Sequence, residues 1–158
     1  MPAPRRTVGV SKRPHLSLDD YLPYLIHRVG SALAGRFTEE TLARHDLSIA
    51  MWRVLAALSA NGEQRQIDLA TMTSIDVSTL SRLVTRLVRR GLATRRRSKS
   101  NNREVLVELS PKGRALVGTL IPIARKLEAD AIAGVAGKDL AAIKRSLRRM
   151  YGNLAGGK

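Results

Sequence analysis

The sequence predicts a mainly α fold carrying one small β-hairpin, and three observations predict it. Apolar residues recur at steps of three and four along most of the 158 residues, the spacing of helices with one buried face. In Val105, Val107 and Leu109 alone the apolar period drops to two, the mark of a half-buried strand. Aromatic residues are 3% of the chain against 44% hydrophobic residues, so Leu, Val, Ile, Ala and Met must fill the core. That composition favours helices over strands. The length is enough for one domain, or one domain with helical extensions.

Residues 1–15 hold three prolines, Gly9 and four Lys/Arg, and read as a flexible basic arm. Ser17 followed by Asp19 and Asp20 marks a helix start, since acids are favourable near the positive end of the helix dipole. Leu18, Leu22, Leu25, Val29 and Leu33 then predict a long first helix over about 18–44. Ser48 caps a second helix, about 49–60, with Met51, Val54, Leu55 and Leu58 inward and Asn61-Gly62 at its end. A third, about 66–73, carries Ile67, Leu69 and Ala70. Residues 73–76 turn into a fourth, about 77–90, whose inward stripe is Leu80, Leu83, Val84 and Leu87 and which Gly91 terminates. Leu92 to Arg95 and Val105 to Leu109 make the hairpin strands. Ser110-Pro111 opens a fifth helix to about 133, with a kink expected at Pro122, which lacks the ladder N–H. A last helix, about 138–154, sets Leu140, Ile143, Leu147, Met150 and Leu154 at 3-4-3-4 spacing, a seam suited to a helix of a neighbouring subunit.

Charge narrows the function. Lys and Arg number 28 against 13 acids, a formal +15, which favours a polyanionic partner. There are no cysteines, which removes disulfides, Cys-based zinc sites, thiol nucleophiles and a thiol redox switch, and agrees with a cytoplasmic protein. His15, His27 and His45 show no metal-ligand spacing, so neither a metal nor a cofactor is expected. No stretch approaches the ~20 apolar residues of a membrane span, and the N-terminus has no apolar run of a secretory signal. Glycine-rich phosphate loops, GxSxG and HExxH are absent and no catalytic pair stands out, so an enzyme is not expected.

The positive charge is concentrated. From Val77 to Arg103 the charged residues are Arg82, Arg86, Arg89, Arg90, Arg95, Arg96, Arg97, Lys99 and Arg103, with no acid among them. A solvated helix face ordinarily carries both signs. Here the run coincides with a short helix, a turn, a longer helix and a hairpin. A helix fits the major groove of B-DNA, and a basic hairpin can track the neighbouring phosphates. With the stripe of the fourth helix inward, Ser78, Thr79, Ser81, Arg82, Thr85 and Arg86 face out. Small hydroxyls permit close approach and arginine can bond guanine bidentately. Arg95, Arg96, Arg97, Lys99 and Arg103 fall to phosphates and the minor groove. The alternative for each residue alone is ordinary: Ser78 as a helix cap, the arginines as solubilising charge.

The ordered series LSIAMWRVLAAL (47–58), QIDLATMTSIDVSTLSRLVTRLVRRGLATRRRS (66–98) and NNREVLVELSPKGRAL (101–116) resembles the MarR family of winged helix-turn-helix regulators, over about residues 18–154. Each motif is weak alone; order and spacing together are specific. The resemblance implies a winged helix-turn-helix with long N- and C-terminal dimerisation helices: a DNA-binding lobe over 46–110 and a helical dimerisation region over 16–45 and 111–158. It implies a homodimer on double-stranded DNA, with a pseudo-palindromic operator whose half-sites lie ~34–36 Å apart, and it places Arg103 as the wing arginine at the minor groove. Two positions depart from the family pattern. Ser110 replaces a common Thr and keeps the capping hydroxyl, while Asn101 replaces the usual wing Asp, which predicts a wing held less firmly.

The resemblance further implies a repressor released by a small aromatic carboxylate or phenolic effector. The effector-binding candidates are Tyr21, Tyr24, His27 and Arg28 on the first helix, and Trp52 and Arg53 on the second. An arginine or histidine facing an aromatic pocket suits a carboxylate. Their alternative roles are core or interface packing for the rings and surface charge for the arginines. From a different class, a nonspecific nucleic-acid-binding or architectural protein would need the same positive field. The ratio of specific to nonspecific affinity separates the two.

Overall fold

A computed structural model describes residues 14–101 and 103–156. The basic arm, except for Pro14 and His15, lies outside the described residues. The chain divides into two compact units, Met1–Ala32 and Leu33–Lys158.

The predicted first helix is three elements. Leu18–Asp20 is a single 3-10 turn, and Ser17 makes no side-chain cap bond to it. Tyr21 is extended and α1 runs Leu22–Glu40. Pro23 explains the late start: it fits the first turn of a helix, where its missing N–H has no partner to lose, but not a helix interior. A second 3-10 turn, Leu42–His45, buries Leu42 completely and ends on Asp46 in the left-handed region at φ 48°. In the first unit Leu18, Leu22, Leu25, Ile26 and Val29 are exposed.

The second unit contains the core. α2 (Ile49–Asn61) begins on Ser48, whose hydroxyl accepts from the Met51 N–H at 3.2 Å, and ends on Gly62 at φ 71°. Its Met51, Val54, Leu55 and Leu58 are buried as the periodicity requires. α3 (Gln66–Thr73) and α4 (Val77–Arg89) have the predicted limits to within a residue. Between them Ser74 takes the left-handed conformation at φ 54°. After α4 the chain reverses at Gly91, φ 68°: its N–H bonds the Val88 carbonyl and that of Leu92 bonds Leu87, a closure that requires positive φ.

The hairpin is β2 (Ala93–Arg97) and β3 (Val105–Leu109), paired antiparallel with Arg95 opposite Val107 and Arg96 opposite Leu106. A two-residue strand that periodicity could not reveal, β1 (Gln64–Arg65), adds to the free edge of β3 and gives the order β1-β3-β2. α5 (Pro111–Ala131) runs through Pro122, and α6 spans Gly137–Ala155.

The core gathers Phe37, Leu42, Leu47, the inward face of α2, Leu69, Ala70, Leu80, Val84, Leu87, Leu92, Val107, Leu109, Val117 and Leu120. Two expected core positions differ. Leu83 is only partly buried, and Ile67 is 59% exposed. Ile143, Leu147, Met150 and Leu154 of α6 are all exposed in the single chain, as a seam awaiting a partner would be. Fold class thus follows the sequence: helices with a small antiparallel sheet.

Candidate nucleic-acid interface

α4 is the element on which the candidate DNA face is built. Leu80, Val84 and Leu87 are buried, so the opposite face must be outward. Asp76, not Ser78, caps the helix: its carboxylate accepts from the Thr79 N–H at 2.8 Å. That frees Ser78, which is exposed, from the role its position had suggested. Arg82 is exposed and its Nε donates to the Ser78 carbonyl at 3.4 Å. Thr79 and Ser81 are half-buried. Thr85 is engaged twice, donating to the Ser81 carbonyl at 2.9 Å and accepting from Arg95 Nη1 at 3.0 Å.

Hydrogen bonds from the Thr79 side chain and backbone hold the Asp76 carboxyl below its ordinary range. A group whose folded pKa is depressed contributes stability above its unfolded pKa and loses it as pH falls through the folded value. Asp76→Ala is therefore expected to speed amide hydrogen exchange in the first turn of α4 at neutral pH. The difference from the parent protein should narrow only as pH falls below the ordinary aspartate range, where the parent's own depressed cap at last protonates. Equal exchange in the two proteins at neutral pH would remove Asp76 from this role.

The basic residues of 77–103 are not equivalent once folded. Acids that are distant in sequence come alongside some of them. Arg86 lies 3.3 Å from the Asp46 carboxylate, and Arg90 donates to the Asp46 and His45 carbonyls at 2.5 Å. Both tie α4 to the turn before α2. Arg96 makes a two-point bond to Glu63 at 2.7 and 3.0 Å. Arg65, outside the basic run, pairs with Asp68 at 2.6 Å and with Glu104 at 3.3 Å, and these acids raise its pKa, Asp68 first. Strand alternation sends neighbouring side chains to opposite faces. Arg95 accordingly bonds Thr85 on α4, whereas Arg96 reaches Glu63.

Between α3, α4 and the hairpin lies a groove of about 370 Å³ lined by Gln66, Ser81, Arg95, Arg96, Arg97 and Val105. A second groove, about 380 Å³, is lined by Arg65, Gln66, Ile67, Val77, Arg103, Glu104 and Val105. Lys99 and Arg103 are exposed at the hairpin tip. The Asn101 side-chain oxygen accepts from the Arg103 N–H at 3.1 Å, and the Asn101 carbonyl accepts from Glu104 N–H at 2.9 Å. The amide oxygen thus makes the turn bond that a carboxylate would make. The expected loosening at Asn101 is countered on this point, though the charge is absent.

The effector candidates fall into both units. In the first, Tyr24 is half-buried with the Arg28 guanidinium 5.7 Å from its ring centroid, Tyr21 is exposed, and His27 Nε2 lies 3.4 Å from Ser31 Oγ. In the second, Trp52 packs edge-on against the buried Phe37 with centroids 5.4 Å apart, and Arg53 is exposed. Among the described residues no cluster of His, Asp and Glu could hold a metal ion, and no helix is long and apolar enough to cross a membrane.

Comparison with known proteins adds to this geometry. The MarR family profile matches residues 47–105. The transcriptional repressor NicR of Pseudomonas putida is 32% identical over 96 residues, a match spanning 61% of this chain and 61% of NicR. A MarR family transcriptional regulator from Silicibacter pomeroyi superposes with a TM-score of 0.77 at 31% identity, covering 87% of this chain and 92% of that one. Bordetella bronchiseptica BpsR, whose DNA binding is regulated by 6-hydroxynicotinic acid, superposes with a TM-score of 0.78 at 28% identity, covering 87% and 98%.

Proposed function

The chain belongs to the MarR family, a family of transcriptional regulators and not of enzymes, and from that premise we propose that it is a ligand-responsive repressor. It binds a pseudo-palindromic operator as a homodimer and is released by a small aromatic acid or phenol. The observation that carries the DNA reading is the outward face of α4, where Ser78 and Arg82 stand exposed beside a basic hairpin while Leu80, Val84 and Leu87 opposite are buried. Base edges fall to Ser78, Thr79, Ser81 and Arg82, with Thr85 and Arg86 behind them holding Arg95 and Asp46. Phosphates and the minor groove fall to Arg95, Arg97, Lys99 and Arg103. The exposed apolar row of α6 supplies a dimer seam.

The effector reading draws on BpsR, which answers to an aromatic acid. Tyr24 with Arg28 over its ring offers this chain an aromatic surface beside a cation, the pairing a ring-bearing carboxylate needs. A ligand that favours the subunit spacing of the free dimer over that of the bound one lowers DNA affinity by its differential affinity for the two.

A band-shift with the DNA upstream of the protein's own gene, titrated with 6-hydroxynicotinate, salicylate and an aliphatic acid of equal charge, tests both parts. The expected result is one retarded dimer complex with affinity orders of magnitude above that for random duplex. The aromatic acids, but not the aliphatic one, should release it. Equal affinity for every duplex would instead favour a nonspecific nucleic-acid-binding protein. Release by all three acids alike would remove the aromatic pocket.

A further inference from the structure

The segment Glu63-Gln64-Arg65 stands outside the basic run that defines the candidate interface, yet it reaches both strands of the hairpin. Arg65 and Arg96 both pair with Leu106 of the central strand, one from each side, so their side chains share one face of the sheet. Two guanidinium groups flanking one strand repel. Each is answered by an acid from the opposite partner: Glu63 takes Arg96 of β2 with two bonds, and Arg65 takes Glu104, which leads into β3. The acids are the sheltered members of both pairs, with side chains 32% and 33% exposed against 51% and 49% for the arginines. The pairs join residues separated by 33 and 39 positions, so they fix tertiary geometry and not merely a local turn.

We propose that Glu63 and Arg65 form a two-point clasp that sets the posture of the wing, and that Arg96 is a positioning residue, not a phosphate contact. β1 contributes only two residues to the sheet, too few to orient a hairpin by backbone bonds alone. The ion pairs extend its hold past β3 to the far strand. With Arg96 bound to Glu63, the tip residues Lys99 and Arg103 are presented from a hairpin fixed at its base. The inference rests on the reading of the hairpin as a DNA wing, but the posture itself can be tested without DNA.

Two measurements on the full-length protein decide it. In the first, a duplex selected from a random library is bound at salt between about 50 and 200 mM. Arg96→Ala and Glu63→Gln should each weaken binding about two- to fivefold, with the slope of log K on log salt unchanged, and should not add when combined. The exchanged pair, Glu63→Arg with Arg96→Glu, should recover most of the loss. Lys99→Ala serves as the contrast, lowering the slope by about 1 per subunit. The clasp is overturned if Arg96→Ala lowers the slope as Lys99→Ala does while Glu63→Gln is neutral. The second measurement follows amide exchange in the free protein, where Glu63→Gln and Arg96→Ala should both speed exchange in β2 and β3 but not in α4. Failure of the parent protein to select any duplex would sink the DNA reading alone. Unchanged wing exchange in both variants would sink the clasp.

Discussion

Gly113→Ala should destabilise the protein by about 2–3 kcal/mol, although the same change in an open helix position stabilises by up to about 1 kcal/mol. Gly113 is buried in the first turn of α5. A Cβ placed there would stand 1.9 Å from the Leu92 carbonyl oxygen, 2.9 Å from its carbon and 3.4 Å from Leu109 Cδ2. The first two are backbone atoms and cannot swing aside as a side chain can. The Leu92 oxygen also accepts from the Ser110 N–H at 3.1 Å. Beside it the Ser110 hydroxyl donates to the Gly91 carbonyl at 2.6 Å while accepting from Gly113 N–H at 2.9 Å. Relief of the clash therefore pulls apart the joint where α4 ends, β2 begins and α5 starts.

The measurement is thermal or urea unfolding at fixed protein concentration, since the proposed dimerisation would couple to stability. For a domain of this size the midpoint should fall by about 5–10 °C. Gly118→Ala is the control, five residues further along the same helix: nothing lies within 4 Å of its added Cβ, so it should be neutral or stabilising. If both substitutions behave alike, the close approach at Leu92 is not what constrains position 113.

That joint illustrates how much of the fold could be read from the chain. Ser110-Pro111, Ser48 and Gly91 are local signals, each making its helix-end bond to atoms within a few residues, and the elements they bound lie where the sequence places them. The failures are of two kinds. A short-range one is Pro23, which moved the start of α1 past Ser17 because a fixed φ and a missing N–H outweighed a favourable cap composition. The other is tertiary. Glu63, Asp46 and Glu104 carry no signal at their own positions, and the basic run contains no acid in sequence. Only the fold brings these acids to Arg96, Arg86 and Arg65. A cluster that reads as uniformly positive is, in three dimensions, a mixture of paired anchors and exposed cations. Residue type and spacing pick out the candidate face; they do not separate its paired arginines from its exposed ones.

The division gives the second large effect. Arg82 has no acidic partner within ion-pair distance among the described residues, is exposed, and sits six residues beyond the Asp76 cap on the outward face of α4. Its one bond, to the Ser78 carbonyl at 3.4 Å, is long enough to surrender. In a two-fold dimer a bidentate bond from Arg82 to guanine O6 and N7 would be made once per half-site. Each such pair discriminates by about 1–3 kcal/mol, so Arg82→Ala should lower operator affinity by about 2–6 kcal/mol in total. Selection from a random library should show one symmetric pair of positions losing its preference for guanine while the remaining positions keep theirs. Arg103→Ala should leave those positions intact if, as proposed, its contact is to the minor groove, where a base pair is read mainly as A·T against G·C. An Arg82→Ala protein that keeps every base preference and only binds more weakly, with a shallower salt dependence, would make Arg82 a phosphate contact. Base reading would then rest on the hydroxyls of Ser78, Thr79 and Ser81, a face too short of bidentate donors to hold a guanine strongly.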